Sequence, residues 1–218
     1  MLNNKEFYKY AKEYALAKLT AEYQKEQGLS PAEARSQAEK RMALLIKPVE
    51  SCNVNSSKAT IQAIYCRLLA SCQNRSMMPN VIKFDANRKI FEKLLDNFDP
   101  KKVLAKYKSA NDLYMDFEKT FNVNKSHNQL WQIFAQSVID GAKFISNYKN
   151  VSDFKHTIDN IAAHFTGTLM IPRLISGEIR GLGEVLACDF IKEIGYVEYA
   201  KPDVHIEYII KKICNNEK

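Results

Sequence analysis

Residues 179–190 read Ile179-Arg180-Gly181-Leu182-Gly183-Glu184-Val185-Leu186-Ala187-Cys188-Asp189-Phe190, and thirteen positions beyond Phe190 an acid stands in Lys201-Pro202-Asp203-Val204-His205-Ile206. The chain has seven glycines, and Gly177, Gly181, Gly183 and Gly195 all fall in this region. Such clustering points to a backbone that needs φ values other residues avoid. A Gly-x-Gly turn that opens a helix directs neighbouring N–H groups outward, and those groups grip a phosphate without using a side chain. The apolar run after the turn predicts a helix with Val185, Leu186 and Phe190 packed inward.

Outward from this stretch, helix punctuation recurs along the chain. Ser30-Pro31-Ala32-Glu33 reads as a capping box with proline at the first helical position. Ser126-His127-Asn128-Gln129 reads as a second box, before a run holding Leu130, Trp131, Phe134, Val138 and Ile139. Asp99-Pro100 and Ser152-Asp153 read as further starts. Apolar residues between them recur at three and four, as in Ile90, Leu94, Leu95 and Phe98, or Phe154, Ile158 and Ile161. Alternating patterns are scarce. The expectation is an all-α protein of roughly ten helices with short connections. Looser joints are expected from Lys47 to Ser57 and from Ser76 to Asn80.

At 218 residues and 46% hydrophobic content the chain can bury a real core. It has no run of about 18 apolar residues and no secretion pattern, which predicts a soluble, intracellular protein, cytoplasmic or associated with the nucleoid or nucleus. Cys52, Cys66, Cys72, Cys188 and Cys214 are odd in number and lack paired spacing, so reduced thiols are expected. The net charge is +7. Residues 51–150 hold 15 basic and 8 acidic residues, whereas residues 151–218 hold 8 and 10. A basic middle is consistent with a polyanion partner, although basic faces are common on soluble proteins.

The glycine turn, the apolar helix and the acid beyond them resemble the helix-hairpin-helix of the endonuclease III-like DNA glycosylase superfamily. In that family the hairpin binds a DNA phosphate and an aspartate shortly downstream is the catalytic acid. The resemblance implies that Gly181 and Gly183 bind DNA and that Asp203 catalyses. Ile64-Tyr65-Cys66-Arg67-Leu68-Leu69-Ala70-Ser71-Cys72-Gln73-Asn74 is similar to an early helix of the family, whose apolar turn ends in Ser-x-Gln beside the DNA. Gln73 would then fill or border the gap left by an extruded nucleotide. The similarity runs from about Ser57 to Lys212 and is strongest from Leu174 to His205. It implies a two-lobed helical domain over 51–218, with residues 1–50 as a helical N-terminal extension. The expected partner is double-stranded DNA, and a monomer is expected.

Cleaving an N-glycosidic bond builds positive charge on the sugar, and a nearby carboxylate stabilises that state and orients or deprotonates the attacking water. The base must also leave the stack, which calls for a clamp on the backbone. Asp203 follows Pro202 and is expected to open a helix running from His205 through Ile209. As an Asp directly before a helix it is also a good N-cap. His205 resembles a histidine often found two places after the family acid, although it reads more readily as a helix-surface or core histidine.

Family members that also cut the backbone carry a lysine two positions after the second hairpin glycine. Here that position is Val185, which cannot form a Schiff base. The resemblance therefore implies a monofunctional glycosylase using water, with Lys192 and Lys201 as less suited substitutes. Iron–sulfur members carry four cysteines after the aspartate, and here only Cys214 follows Asp203, so no iron–sulfur cluster is expected. His127, His156, His164 and His205 lack a CxxC partner, so no metal and no other cofactor is expected. A base pocket stacks its guest between aromatic faces. Tyr65 and Trp131 are the first candidates for that pocket, followed by Phe134, Phe144 and Tyr148, although aromatic residues at helical spacing are more often core. The alternative to an enzyme is a non-catalytic DNA-binding module in which Asp203 only caps a helix.

Overall fold

The computed structural model describes residues 4–46 and 50–199, with side chains from 9 to 43 and from 50 to 199. These residues form eleven α-helices and two short 3-10 turns, and no strand occurs among them. The all-α expectation holds. Among the described residues, no helix is long and apolar enough to cross a membrane. The chain divides into two compact units, residues 1–48 and 49–218.

The first unit is a pair of helices, α1 (Asn4–Gln27) and α2 (Pro31–Ile46). Gly28 ends α1 in the left-handed region at φ +63°, with its amide bonded to the Gln24 carbonyl at 3.1 Å. The expected box starts α2: the Glu33 amide donates to Ser30 Oγ at 3.4 Å, and the Ser30 amide to the Glu33 carboxylate at 3.1 Å. Leu16, Ala34 and Ala38 are buried, and Arg35 pairs with Glu13 at 3.2 Å and Glu39 at 3.0 Å.

The second unit contains α3 (Ile61–Cys72), α4 (Met78–Ile82), α5 (Arg88–Leu94), α6 (Pro100–Lys106), α7 (Ala110–Phe121), α8 (Asn128–Ser146), α9 (Val151–Ala162), α10 (Gly167–Glu178) and α11 (Glu184–Glu193). Its spine is α8, which buries Trp131, Phe134, Val138, Ala142 and Ile145 and carries α3, α4, α6, α7 and α10 on its surface. Rings from three helices, α5, α7 and α8, meet there. Phe91, Phe117, Phe121, Trp131 and Phe134 form one contiguous group, with Trp131 stacked on Phe121 at 4.8 Å. Such pairs contribute about 0.5–1.5 kcal/mol each beyond their burial.

Several helix starts differ from the sequence expectation by a few residues. Asn124, not Ser126, supplies the cap, and it caps the 3-10 turn Lys125–His127 that leads into α8, accepting from the Ser126 amide at 3.0 Å, while α8 itself starts with no side-chain cap. Asn150, not Ser152, caps α9, accepting from the Asp153 amide at 2.9 Å. Asp99 caps α6 as expected, accepting from the amides of Lys101 and Lys102. In both displaced cases an Asn two places earlier offers the same side-chain acceptor as Ser and wins the position. The apolar repeat from Ile90 to Phe98 is also not one helix. Asp96, Asn97 and Phe98 all have positive φ, so the helix stops at Leu94, Ile90 is left exposed, and Phe98 enters the core from a turn. Phe154 and Ile158 are buried as their spacing predicts, with Ile161 packed beside them. The expected loose joint is firmer than its composition suggests, since Val54 is buried and its amide bonds the Ile194 carbonyl at 2.8 Å.

Candidate nucleic-acid interface

The stretch that opened the sequence reading folds as α10, a short turn, and α11. Ile179 leaves α10 in extended conformation, and the Leu182 amide closes the turn on the Ile179 carbonyl at 3.2 Å. The turn is fastened to α8 through both backbone groups of one residue. The Arg180 amide donates to Asp140 Oδ2 at 3.2 Å, and its carbonyl accepts the Ser137 hydroxyl at 2.7 Å. Gly181 then adopts φ +90°, and a Cβ there would lie 2.9 Å from both Ile133 Cγ2 and Ser137 Oγ. Conformation and close approach both require glycine at that point.

Gly183 differs. Its φ is −76°, and a Cβ there would meet nothing within 4 Å. Gly177 likewise sits inside α10 in open space, so of the four clustered glycines only Gly181 and Gly195 need a left-handed φ. Gly183 is the N-cap of α11, and no side chain among the described residues caps that helix. The Leu186 amide turns back onto the Gly183 carbonyl at 3.0 Å, which leaves the amides of Glu184 and Val185 free at the helix start, with the positive end of the helix dipole behind them. The Glu184 carboxylate in that turn is paired with Arg173 at 3.3 Å.

The uncapped end borders a cleft of about 610 Å³. Residues 179–183 and Val185 form one wall, and Asn74, Arg75 and Ser76 form the other. Arg75 and Arg180 bring positive charge to this cleft. A guanidinium nitrogen of Arg75 lies 3.8 Å from where a Gly181 Cβ would stand. Val185, expected to point inward, is 36% exposed and lines the cleft instead, whereas Phe190 is fully buried and Leu186 packs partly against the core.

The two walls are tied together by a residue that sequence reasoning missed. Asp189 on α11 is 6% exposed, and its Oδ2 accepts from Ser71 Oγ at 3.0 Å and Asn74 Nδ2 at 3.4 Å. Arg67 stands 3.6 Å from the same oxygen, and Lys192 stands 3.6 Å from the other. A carboxylate set among Ala187, Phe190 and Ile191 on an otherwise apolar face was the available signal, because buried charge requires partners. Lys192, one of the two substitute lysines, is committed to Asp189 and Glu193.

Three of the expected site residues turn inward. Gln73 is 8% exposed: its Oε1 accepts from the Phe84 amide at 3.4 Å, and its Nε2 donates to Asn74 Oδ1 at 3.2 Å. It braces the end of α3 and does not border the surface as expected. Tyr65 is fully buried, with its hydroxyl donating to the Val138 carbonyl at 2.7 Å. Burial holds that hydroxyl well above its usual pKa, so it stays neutral. Trp131, 4% exposed, is packed in the aromatic group on α8. A ring with no accessible face cannot stack on a base, so packing replaces the base-pocket role expected for Tyr65 and Trp131. Burial also pushes the Cys66 and Cys72 thiols up to about 12, which makes both packing groups rather than nucleophiles.

Among the described residues, no group of three or more His, Cys, Asp and Glu side chains is placed to hold a metal ion. Asp203, His205, Lys201 and Cys214 lie outside the described residues. Comparison of the chain with protein-family models, with curated proteins and with solved structures finds no match.

Proposed function

We propose that this chain binds double-stranded DNA through the α10–α11 turn and acts as a monofunctional base-excision glycosylase, with Asp203 as the acid. The observation that carries the binding half is the turn itself. A left-handed Gly181 seated on α8 presents the uncapped start of α11 to a cleft bordered by Arg75 and Arg180. A helix start with free amides and nearby arginines suits a phosphate oxygen, and contacts of this kind position a duplex without reading its sequence. The catalytic half rests on the spacing of Asp203 from that turn. A two-lobed glycosylase-like domain over the second unit belongs to the same reading.

Duplexes carrying one alkylated, oxidised, deaminated or mismatched base test the activity. Incubation should release free base from at least one of them and leave sites that break only after alkali treatment. Borohydride should trap no covalent adduct, because Val185 occupies the lysine position. Salt-sensitive binding without base release from any duplex would reduce the function to DNA binding alone.

Gly183 allows a clean test of the phosphate grip, because a larger side chain there has room and an ordinary φ. Gly183→Val should fold like the parent. It should bind damaged and undamaged duplex about tenfold more weakly, the scale of one hydrogen bond to a charged group. Fluorescence anisotropy with a labelled 20-mer reads this directly, and unchanged binding would remove the turn from the interface.

A further inference from the structure

Directly after Gly183 the chain places an acid where an anion from outside would also settle. Glu184 is the first residue of α11, beside its own free amide and that of Val185, and the dipole of that helix favours negative charge there. Its carboxylate meets Arg173 of α10, whose Nε stands 3.3 Å from both oxygens. Among the described residues, Glu184 is the one ion-pair partner of Arg173. The two side chains are 65% and 56% exposed, and a pair so open to water adds little to stability. Ser176, one turn on from Arg173, lines the cleft, so Arg173 stands at its edge on the same side of α10.

Resting on the DNA-binding reading above, we infer that Arg173 is a further ligand for the duplex backbone and that Glu184 holds it in reserve, the carboxylate occupying the anion position until a phosphate displaces it. A guanidinium meets carboxylate and phosphate through the same planar fork, so the exchange swaps one anion for another of like geometry. The pair yields readily because water already competes for it. A duplex phosphate arrives fixed in its strand beside the free amides, and the displaced carboxylate turns to the solvent it already faces. Glu184 thereby restrains duplex binding as a whole and shuts out anions too weak to dislodge it.

The parent, Glu184→Gln, Arg173→Gln and the double variant read the exchange, each titrated by anisotropy against one labelled, undamaged 20-mer duplex at several salt concentrations. Both positions are on the surface, so all of these proteins should melt alike. Glu184→Gln should bind about tenfold more tightly than the parent, the scale of a hydrogen bond to a charged group. Arg173→Gln alone should weaken binding by only about twofold, because the arginine it removes was already engaged by Glu184. The double variant should fall back to about the parent's affinity. Its log affinity should decline with log salt less steeply than that of Glu184→Gln, by about one unit, the mark of one lost phosphate contact. Equal tightening by Glu184→Gln with Arg173 present or replaced would reduce Glu184 to simple repulsion and overturn the exchange. Arg173→Gln without effect in the Glu184→Gln background, while Gly183→Val still weakens binding, overturns it too and leaves the phosphate grip standing. If no protein of the set, parent included, binds duplex, the exchange falls together with the DNA-binding reading.

Discussion

On the glycosylase reading proposed above, Asp203→Asn should lose base-excision activity by about a hundredfold or more, while the protein stays folded and still binds duplex DNA. The asparagine keeps the shape and the capping ability of the aspartate, so the fold should lose at most about 1 kcal/mol. Removing a carboxylate from beside a cationic transition state costs on the order of 2.7 kcal/mol or more, which is that hundredfold. Binding should hold or tighten, because one negative charge leaves the neighbourhood of the phosphates. Single-turnover excision on a duplex the parent processes, with melting and binding measured on the same preparation, makes the comparison. Full activity in the variant would show that Asp203 is not the acid and would end the glycosylase mechanism.

The second large effect is on stability. Trp131→Ala should destabilise the protein by about 3–5 kcal/mol, the range for deleting a large aromatic side chain from a packed core. Trp131 is 4% exposed and stacks on Phe121 at 4.8 Å and against Phe117 at 5.4 Å. Trp131→Phe keeps a ring in the same group and should lose far less, with DNA binding unchanged. Chemical denaturation of both variants alongside a duplex titration gives the comparison. A stable Trp131→Ala protein that fails to recognise a damaged base would return Trp131 to the pocket.

The helical class was readable because apolar spacing reports directly which face is buried, and α8 and α9 follow that rule residue by residue. Asp99 and Ser30 were readable because proline in the next position fixes the start. Asn124 and Asn150 were not, since Ser and Asn offer the same acceptor, and which one caps depends on where the preceding turn ends. The break at Asp96 to Phe98 was hidden because no glycine or proline marks three consecutive positive φ values. At the candidate interface, Gly181 was readable as a constrained residue, and its partners Ser137 and Asp140 were not. They lie about forty positions earlier, on a helix whose own pattern reads as core. Gln73, Tyr65 and Trp131 show the reverse error. Sequence gives residue type and spacing, whereas exposure is decided by which helix comes to lie on top.

The fastening of the turn onto α8 also bears on how this chain can change over generations. Ile133, Ser137, Asp140 and Gly181 behave as one four-residue unit: a methyl group added at 181 would meet Ile133 and Ser137 at 2.9 Å, and losing Ser137 or Asp140 would strip a partner from the Arg180 backbone. Any substitution at Gly181 brings both the clash and the strain of a positive φ. Descendants that keep this turn are therefore expected to vary freely at Gly183, where the chain itself makes no demand, unless a ligand does. Variation at 183 beside invariance at 181 would mean that internal packing alone has preserved the motif, and invariance at both would be the trace left by something outside the protein.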